Sequence, residues 1–136
     1  MKKYKWFLCS IFLFLLIAWA AVSSAEDIVI GYTGPLSGPG AEYGQDCANG
    51  VEMAVKELNA AGGVTIKGKK YNYNLIKLDD RSDPTLAKNN ALRLVNQNKA
   101  IAVFNPMITT TASIMGIPGY NFLIMAYTSI HTILDK

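Results

Sequence analysis

IVIGYTGPLSGPGAEYGQDCANGVEMAVKELNAAGG, residues 28 to 63, decides the fold. It opens on Ile28, Val29 and Ile30, an apolar β-branched run of the kind buried on both faces of a parallel sheet. A loop follows, in which residues 31 to 46 carry five glycines and two prolines. From Glu42 to Leu58 the period changes. Cys47, Val51, Ala54, Val55 and Leu58 recur at spacings of three and four, which puts one apolar stripe on a helix. Gly62-Gly63 then ends it in the manner of a C-cap. Strand, glycine loop and amphipathic helix make the first unit of an α/β fold.

The glycine loop raises the question of a nucleotide. A dinucleotide fingerprint reads GxGxxG directly after the strand, so that backbone can approach a pyrophosphate at a helix N-terminus. Residues 38 to 44 read GPGAEYG, one residue too long in the last spacing and interrupted by proline, and no GK[ST] occurs anywhere. No nucleotide site and no cofactor are expected.

The alternation continues outward from that unit. VTIKGKKYNYNLIKLDD reads as a hairpin of Val64 to Lys67 and Tyr71 to Asp79, with Tyr71, Tyr73 and Leu75 on one face. Asp83 and Pro84 are an N-cap and N1 pair, after which Leu86, Ala87, Ala91, Leu94 and Val95 repeat at helical spacing. AIAVFNP is a third buried strand, TTTASIM opens a short helix, and FLIMAYTS returns to strand character. Pro118 inside a helix would cost ~3 kcal/mol, so the short helix must stop before it. The expected fold is α/β: a three-layer, Rossmann-like lobe with a mostly parallel sheet and helices on both faces. Ligands of such sheets sit beyond the carboxyl ends of the strands. The loops Gly34 to Tyr43, Asn105 to Thr111 and Ala126 to His131 qualify.

The N-terminus reads as an export signal. MKKYKW is a positive n-region, WFLCSIFLFLLIAWAAV an apolar core, and Ser23 and Ala25 stand at the −3 and −1 positions of a cleavage site before Glu26. The expected organisation is a signal peptide over 1–25, cleaved on export, and a lobe over 26–136. The alternative is an uncleaved anchor, since Trp6 to Val22 approaches the ~20 residues that span a bilayer. Cys9 lies too early in the apolar run for a lipid anchor.

Lys2, Lys3 and Lys5 account for the whole excess of 13 basic over 10 acidic residues, so the chain after the leader is formally neutral. A nucleic-acid surface would need a basic stripe; KGKK, residues 67 to 70, is the one dense run and reads as a solvated hairpin tip. Beyond the leader Cys47 is the one cysteine, and it falls on the apolar stripe as packing. Asp79, Asp80 and Asp83 read as strand-end and capping carboxylates. His131, with no GxSxG serine elbow, leaves hydrolase chemistry without machinery, and an enzyme is not expected.

TGPLSGPGAEYGQDCANGVEMAVKELNAAGG and LDDRSDPTLAKNNALRLVNQNKAIAVFNP together resemble the N-terminal segment of type I periplasmic substrate-binding proteins of the branched-chain amino acid (leucine/isoleucine/valine-binding) family. The resemblance implies a clamshell that traps a small amino acid and hands it to an inner-membrane ABC permease. It implies that Tyr43 packs on an aliphatic ligand side chain and that Thr109, Thr110 and Thr111 meet the ligand carboxylate. It implies further contacts from Thr128 and Ser129, although Ala126-Tyr127 replaces the usual Ser-Pro start of that loop. The carboxylate reading agrees with the chemistry of a helix N-terminus, whose unpaired N–H groups favour an anion; an N-cap cluster without ligand is the other reading of the threonines.

From Ile114 the sequence departs from the family pattern, and it ends at Lys136, where the family continues into a hinge, a second lobe and a returning segment. A truncated lobe is therefore expected. A non-functional fragment, or an envelope interaction protein using the exposed interlobe face, stands as the alternative to amino-acid binding.

Overall fold

In a computed structural model, which describes residues 26–127, the elements follow the alternation read from the sequence. They are β1 (Glu26–Gly34), α1 (Ala41–Ala60), β2 (Val64–Ile66), β3 (Lys69–Asp79), α2 (Pro84–Asn96), β4 (Ala102–Asn105), α3 (Ile108–Met115) and β5 (Leu123–Ala126). The sheet order is β2-β3-β1-β4-β5. β1 runs parallel to β3 and β4, and β4 parallel to β5; β2 alone is antiparallel, because the hairpin to β3 reverses the chain at Lys67-Gly68. The hairpin strands begin and end a residue or two from their expected limits.

The two faces of the sheet are covered unequally. On one, α2 and α3 bury Ala87, Ala91, Leu94 and Ile114 against Val103, with Val29, Ile76 and Ile124 at the margin. Leu94 sits over Gly31, where an added Cβ would come within 2.9 Å of its Cδ1, so a strand glycine is what lets α2 approach β1 this closely. Burying Leu94 stabilises the lobe by about 1.5–3 kcal/mol.

Among the described residues the other face is covered by α1 alone, over β3 and β1. The apolar stripe predicted to bury α1 does not make the close contact. Gly44 and Ala48 are the buried residues of α1, while Cys47, Val51 and Val55 are half-buried and Leu58 is exposed. The stripe lies instead along an open groove. α2 begins as read, with the Asp83 carboxylate accepting from the amides of Thr85 and Leu86 at 2.7 and 2.8 Å ahead of Pro84. α3 has eight residues and ends at Met115, before Pro118. No helix among the described residues is long and apolar enough to cross a membrane. The leader, Thr128, Ser129 and His131 lie outside the described residues.

Candidate functional site

The parallel strands β1, β3, β4 and β5 deliver their C-terminal ends to one rim, which the β1–α1, β3–α2 and β4–α3 loops build. The glycine loop is already occupied by an anion of the chain's own. Asp79 Oδ1 accepts from the amides of Leu36 (2.8 Å) and Arg81 (2.9 Å), and Oδ2 from the Ser37 hydroxyl at 2.5 Å. Burial works against the Asp79 carboxylate, but these donations prevail and hold its pKa below the usual value. The loop amides that would cradle a phosphate are thus spent on fixing the loop to the β3 end.

A buried polar network underlies the rim. Asp80, with no exposure, accepts from Ser82 N–H at 2.9 Å, from the Thr33 hydroxyl at 3.1 Å and from Asn105 Nδ2 at 3.4 Å. Burial pushes its carboxyl up, and the charge of Asp79 adds to that push. Asn105 Nδ2 also donates to the Thr33 carbonyl at 2.8 Å. Its Oδ1 accepts from Met107 N–H at 3.0 Å and lies 2.8 Å from both the Thr110 and Thr111 hydroxyls.

This arrangement separates the three threonines expected at the ligand. Thr110 and Thr111 are fully buried with their hydroxyls turned to Asn105, so those hydroxyls do not face a ligand; the carboxamide needed acceptor-side partners in a dry site and the two threonines supply them. Thr109 is exposed in the first turn of α3. Nor do the threonines cap the helix: the N-cap is Met107, and no side chain caps it. The first intrahelical bond runs from Thr111 N–H to Met107 O, which leaves the amides of Ile108, Thr109 and Thr110 ahead of it, at the positive end of the helix.

Tyr43 stands in the first turn of α1, on the same rim, with its residue 49 % exposed. It lines an apolar groove of about 670 Å³ together with Cys47 and Leu58 of α1, Tyr73 and Phe104 of the sheet, and Tyr127 just after β5. Hydrogen bonding and charge at Cys47 raise the Tyr43 phenol pKa, and Tyr127 contributes to the same effect across the groove. Beneath it Tyr32, almost fully buried, donates to the Gly44 carbonyl at 2.6 Å and fixes the start of α1 on β1. Burial, before nearby Cys47, Asp80 and Tyr43, raises the Tyr32 phenol well above its ordinary value.

Sequence reasoning missed Asn105 and Tyr127. An asparagine ending an apolar strand directly before proline was a usable signal for the first, because a buried carboxamide must be fully paired. Tyr127 stood in plain view as the aromatic that displaces the expected Ser-Pro.

A parallel sheet that gathers an aromatic helix start and a second helix N-terminus at its strand ends, with an apolar groove running from there along α1, has the architecture of a ligand-binding lobe. The chain belongs to the periplasmic binding protein family, whose pattern matches residues 27–116. It is 46% identical over 77 residues to an amino acid binding protein of Pseudomonas aeruginosa, covering 57% of this chain and 20% of the relative. Against the Leu/Ile/Val-binding protein of Escherichia coli K12 it is 41% identical over 80 residues, covering 59% and 21%. Among solved structures, the branched-chain amino acid transporter substrate binding protein LivJ of Streptococcus pneumoniae, in complex with isoleucine, superposes with a TM-score of 0.58 at 36% identity over 65% of this chain and 25% of that one. A fold match extends to a branched-chain amino acid ABC transporter protein of Silicibacter pomeroyi, with a TM-score of 0.67 at 24% identity over 79% and 27%. The matched segment spans about a fifth of the length of these curated relatives. The relatives named here are binding proteins.

Proposed function

We propose that the chain is the N-terminal-lobe part of a periplasmic substrate-binding component of an ABC transporter for branched-chain or related amino acids, handing its ligand to an inner-membrane permease. The observation that carries this reading is the juxtaposition, on one rim, of the exposed Tyr43 ring over an apolar groove and the first turn of α3 with Thr109. An aliphatic side chain suits the ring and the groove mouth. A carboxylate suits the helix N-terminus and a threonine hydroxyl. Thr128 and Ser129 follow Tyr127 directly and are assigned to the same ligand. Thr110 and Thr111 serve it indirectly, by holding Asn105 and thereby the helix start. The leader over residues 1–25 directs the chain to the periplasm in this reading.

Isothermal titration of the full chain with leucine, isoleucine and valine tests the reading. Saturable heat with an aliphatic amino acid, and a loss of about tenfold in affinity for Tyr43→Ala, is the expected result. Absence of heat from a chain that melts cooperatively would instead favour an interaction role for the apolar face.

A further inference from the structure

The formal neutrality of the chain beyond the leader hides a division of charge along the strand axis. The ligand rim carries Glu42, Asp46, Asp79, Asp83 and the buried Asp80 against Arg81 and Lys88. The opposite end, where β1 begins, carries Lys67, Lys69, Lys70 and Lys99 with Arg93, against Asp27 and Glu57. Exposed Ile66 and Ile101, at 45 % and 59 %, sit among these lysines and flank a shallow depression with Tyr71, Lys99 and Asp27. Lys69 lies over the Tyr71 ring, 5.4 Å from its centre. Lys67 and Lys99 also occupy left-handed turn positions, with φ of 50° and 61°, where glycine or asparagine would be accommodated more easily. Lys99 is exposed, and its Nζ donates to the Asn96 carbonyl at 2.7 Å.

We propose that the hairpin tip at Lys67–Lys70 together with Lys99, with Ile66 and Ile101 between them, is a docking edge for the acidic headgroups of a lipid bilayer, engaged while the apolar stretch 6–22 is attached. The connectivity supplies the reason. β1 and β3 are parallel, with Glu26 beside Tyr71, so the tip at Gly68 reaches about 10 Å past the start of β1. Ser23 to Ala25 separate Val22 from Glu26, and a fully extended link of that length spans at most about 14 Å. With residues 6–22 in a bilayer, the tip is held within roughly a Debye length of the surface. Each lysine there favours an anionic over a neutral surface by about fivefold. The isoleucines supply apolar contact at the interface, and the acidic ligand rim then points away from the membrane. A nucleic acid fits this end poorly, because Asp27 and Glu57 break any continuous basic stripe.

The test is lysine footprinting on the full chain, reconstituted into vesicles of phosphatidylcholine alone or with one third phosphatidylglycerol, using a water-soluble acylating reagent and mass spectrometry. Flotation with both vesicles is expected from the apolar stretch. Lys67, Lys70 and Lys99 are expected to lose reactivity several-fold on the acidic vesicles only, and to regain it in high salt, while Lys77 and Lys88 do not change. In the Lys70→Gln/Lys99→Gln variant, Lys67 is expected to lose most of its protection. Equal reactivity on both vesicles, protection on neutral vesicles as well, protection that survives high salt, or failure to float would each overturn the proposal.

Discussion

Asn105 Nδ2 donates to the backbone carbonyl of Thr33 across 2.8 Å and so ties the end of β4 to the end of β1. The same side chain receives Met107 N–H and the hydroxyls of Thr110 and Thr111. One carboxamide therefore sets the register of two strand ends and the start of α3. Asn105→Ala takes their Asn105 partner from the Met107 amide, the Thr111 hydroxyl and the Thr33 carbonyl, while the Thr110 hydroxyl keeps the Met107 carbonyl at 3.0 Å. A loss of about 2–4 kcal/mol in urea unfolding is expected. A loss under about 1 kcal/mol would mean that water or a shifted helix takes over these bonds.

Two glycines of α1 give opposite expectations for the same change. A Cβ on Gly44 would overlap the Pro35 carbonyl oxygen, with the Pro35 ring carbon Cγ at 2.8 Å behind it. Gly44→Ala must push the start of α1 away from the loop that follows β1, at a cost of roughly 1–3 kcal/mol. Around Gly50 nothing lies within 4 Å, so Gly50→Ala meets no obstacle and raises helix propensity, a gain of about 0.5–1 kcal/mol. Thermal melts of the two variants check the pair, and equal shifts of one sign would contradict this placement of α1.

The order of strands and helices was legible because each element carries its own period: Ile28 to Ile30 as a buried run, Leu86 to Val95 at helical spacing, Asp83-Pro84 as a start signal. The site was less legible. Amphipathic spacing says that Cys47, Val51 and Leu58 share a face, but not whether that face meets the sheet or an open groove. Here Gly44 and Ala48, too small to register as a stripe, make the close contact. Likewise three consecutive threonines look equivalent in sequence. On a helix they point about 100° apart, and the partner that buries two of them, Asn105, belongs to the preceding strand.

Neighbouring aspartates at the end of β3 have opposite pH signatures. Asp80 is pushed up by burial, so its folded form disfavours the charge, and the wild type loses stability as pH rises from the ordinary carboxylate value of about 3.9 through the higher folded value. Asp80→Asn cannot ionise, and its stability relative to wild type should improve as pH rises through that window. Asp79 is held down by its amide and hydroxyl donors, so its contribution is full above about 3.9 and is lost as pH falls through its lower folded value. The wild-type advantage over Asp79→Asn should accordingly shrink toward acid. Urea midpoints for the three proteins between pH 3 and 7 decide both signs; parallel curves would count against the assigned surroundings of both carboxylates.

The threonines of α3 separate binding from folding. Thr111 is buried with its hydroxyl 2.8 Å from Asn105 Oδ1, so Thr111→Val removes one bond from the network, an expected loss of about 1 kcal/mol in stability. Its effect on amino-acid affinity should be small, because Thr110 and Met107 still hold Asn105. Thr109 is exposed and stands outside that network, so Thr109→Val should leave the melting temperature unchanged within about a degree. If its hydroxyl donates to the ligand carboxylate, affinity falls by roughly tenfold, the worth of one charge-assisted hydrogen bond. Titration calorimetry and thermal melts on the two variants give a crossed pattern when the assignment holds. A Thr109→Val protein that binds as well as wild type would remove the hydroxyl from the site and leave the α3 amides as the carboxylate's only partners on this helix.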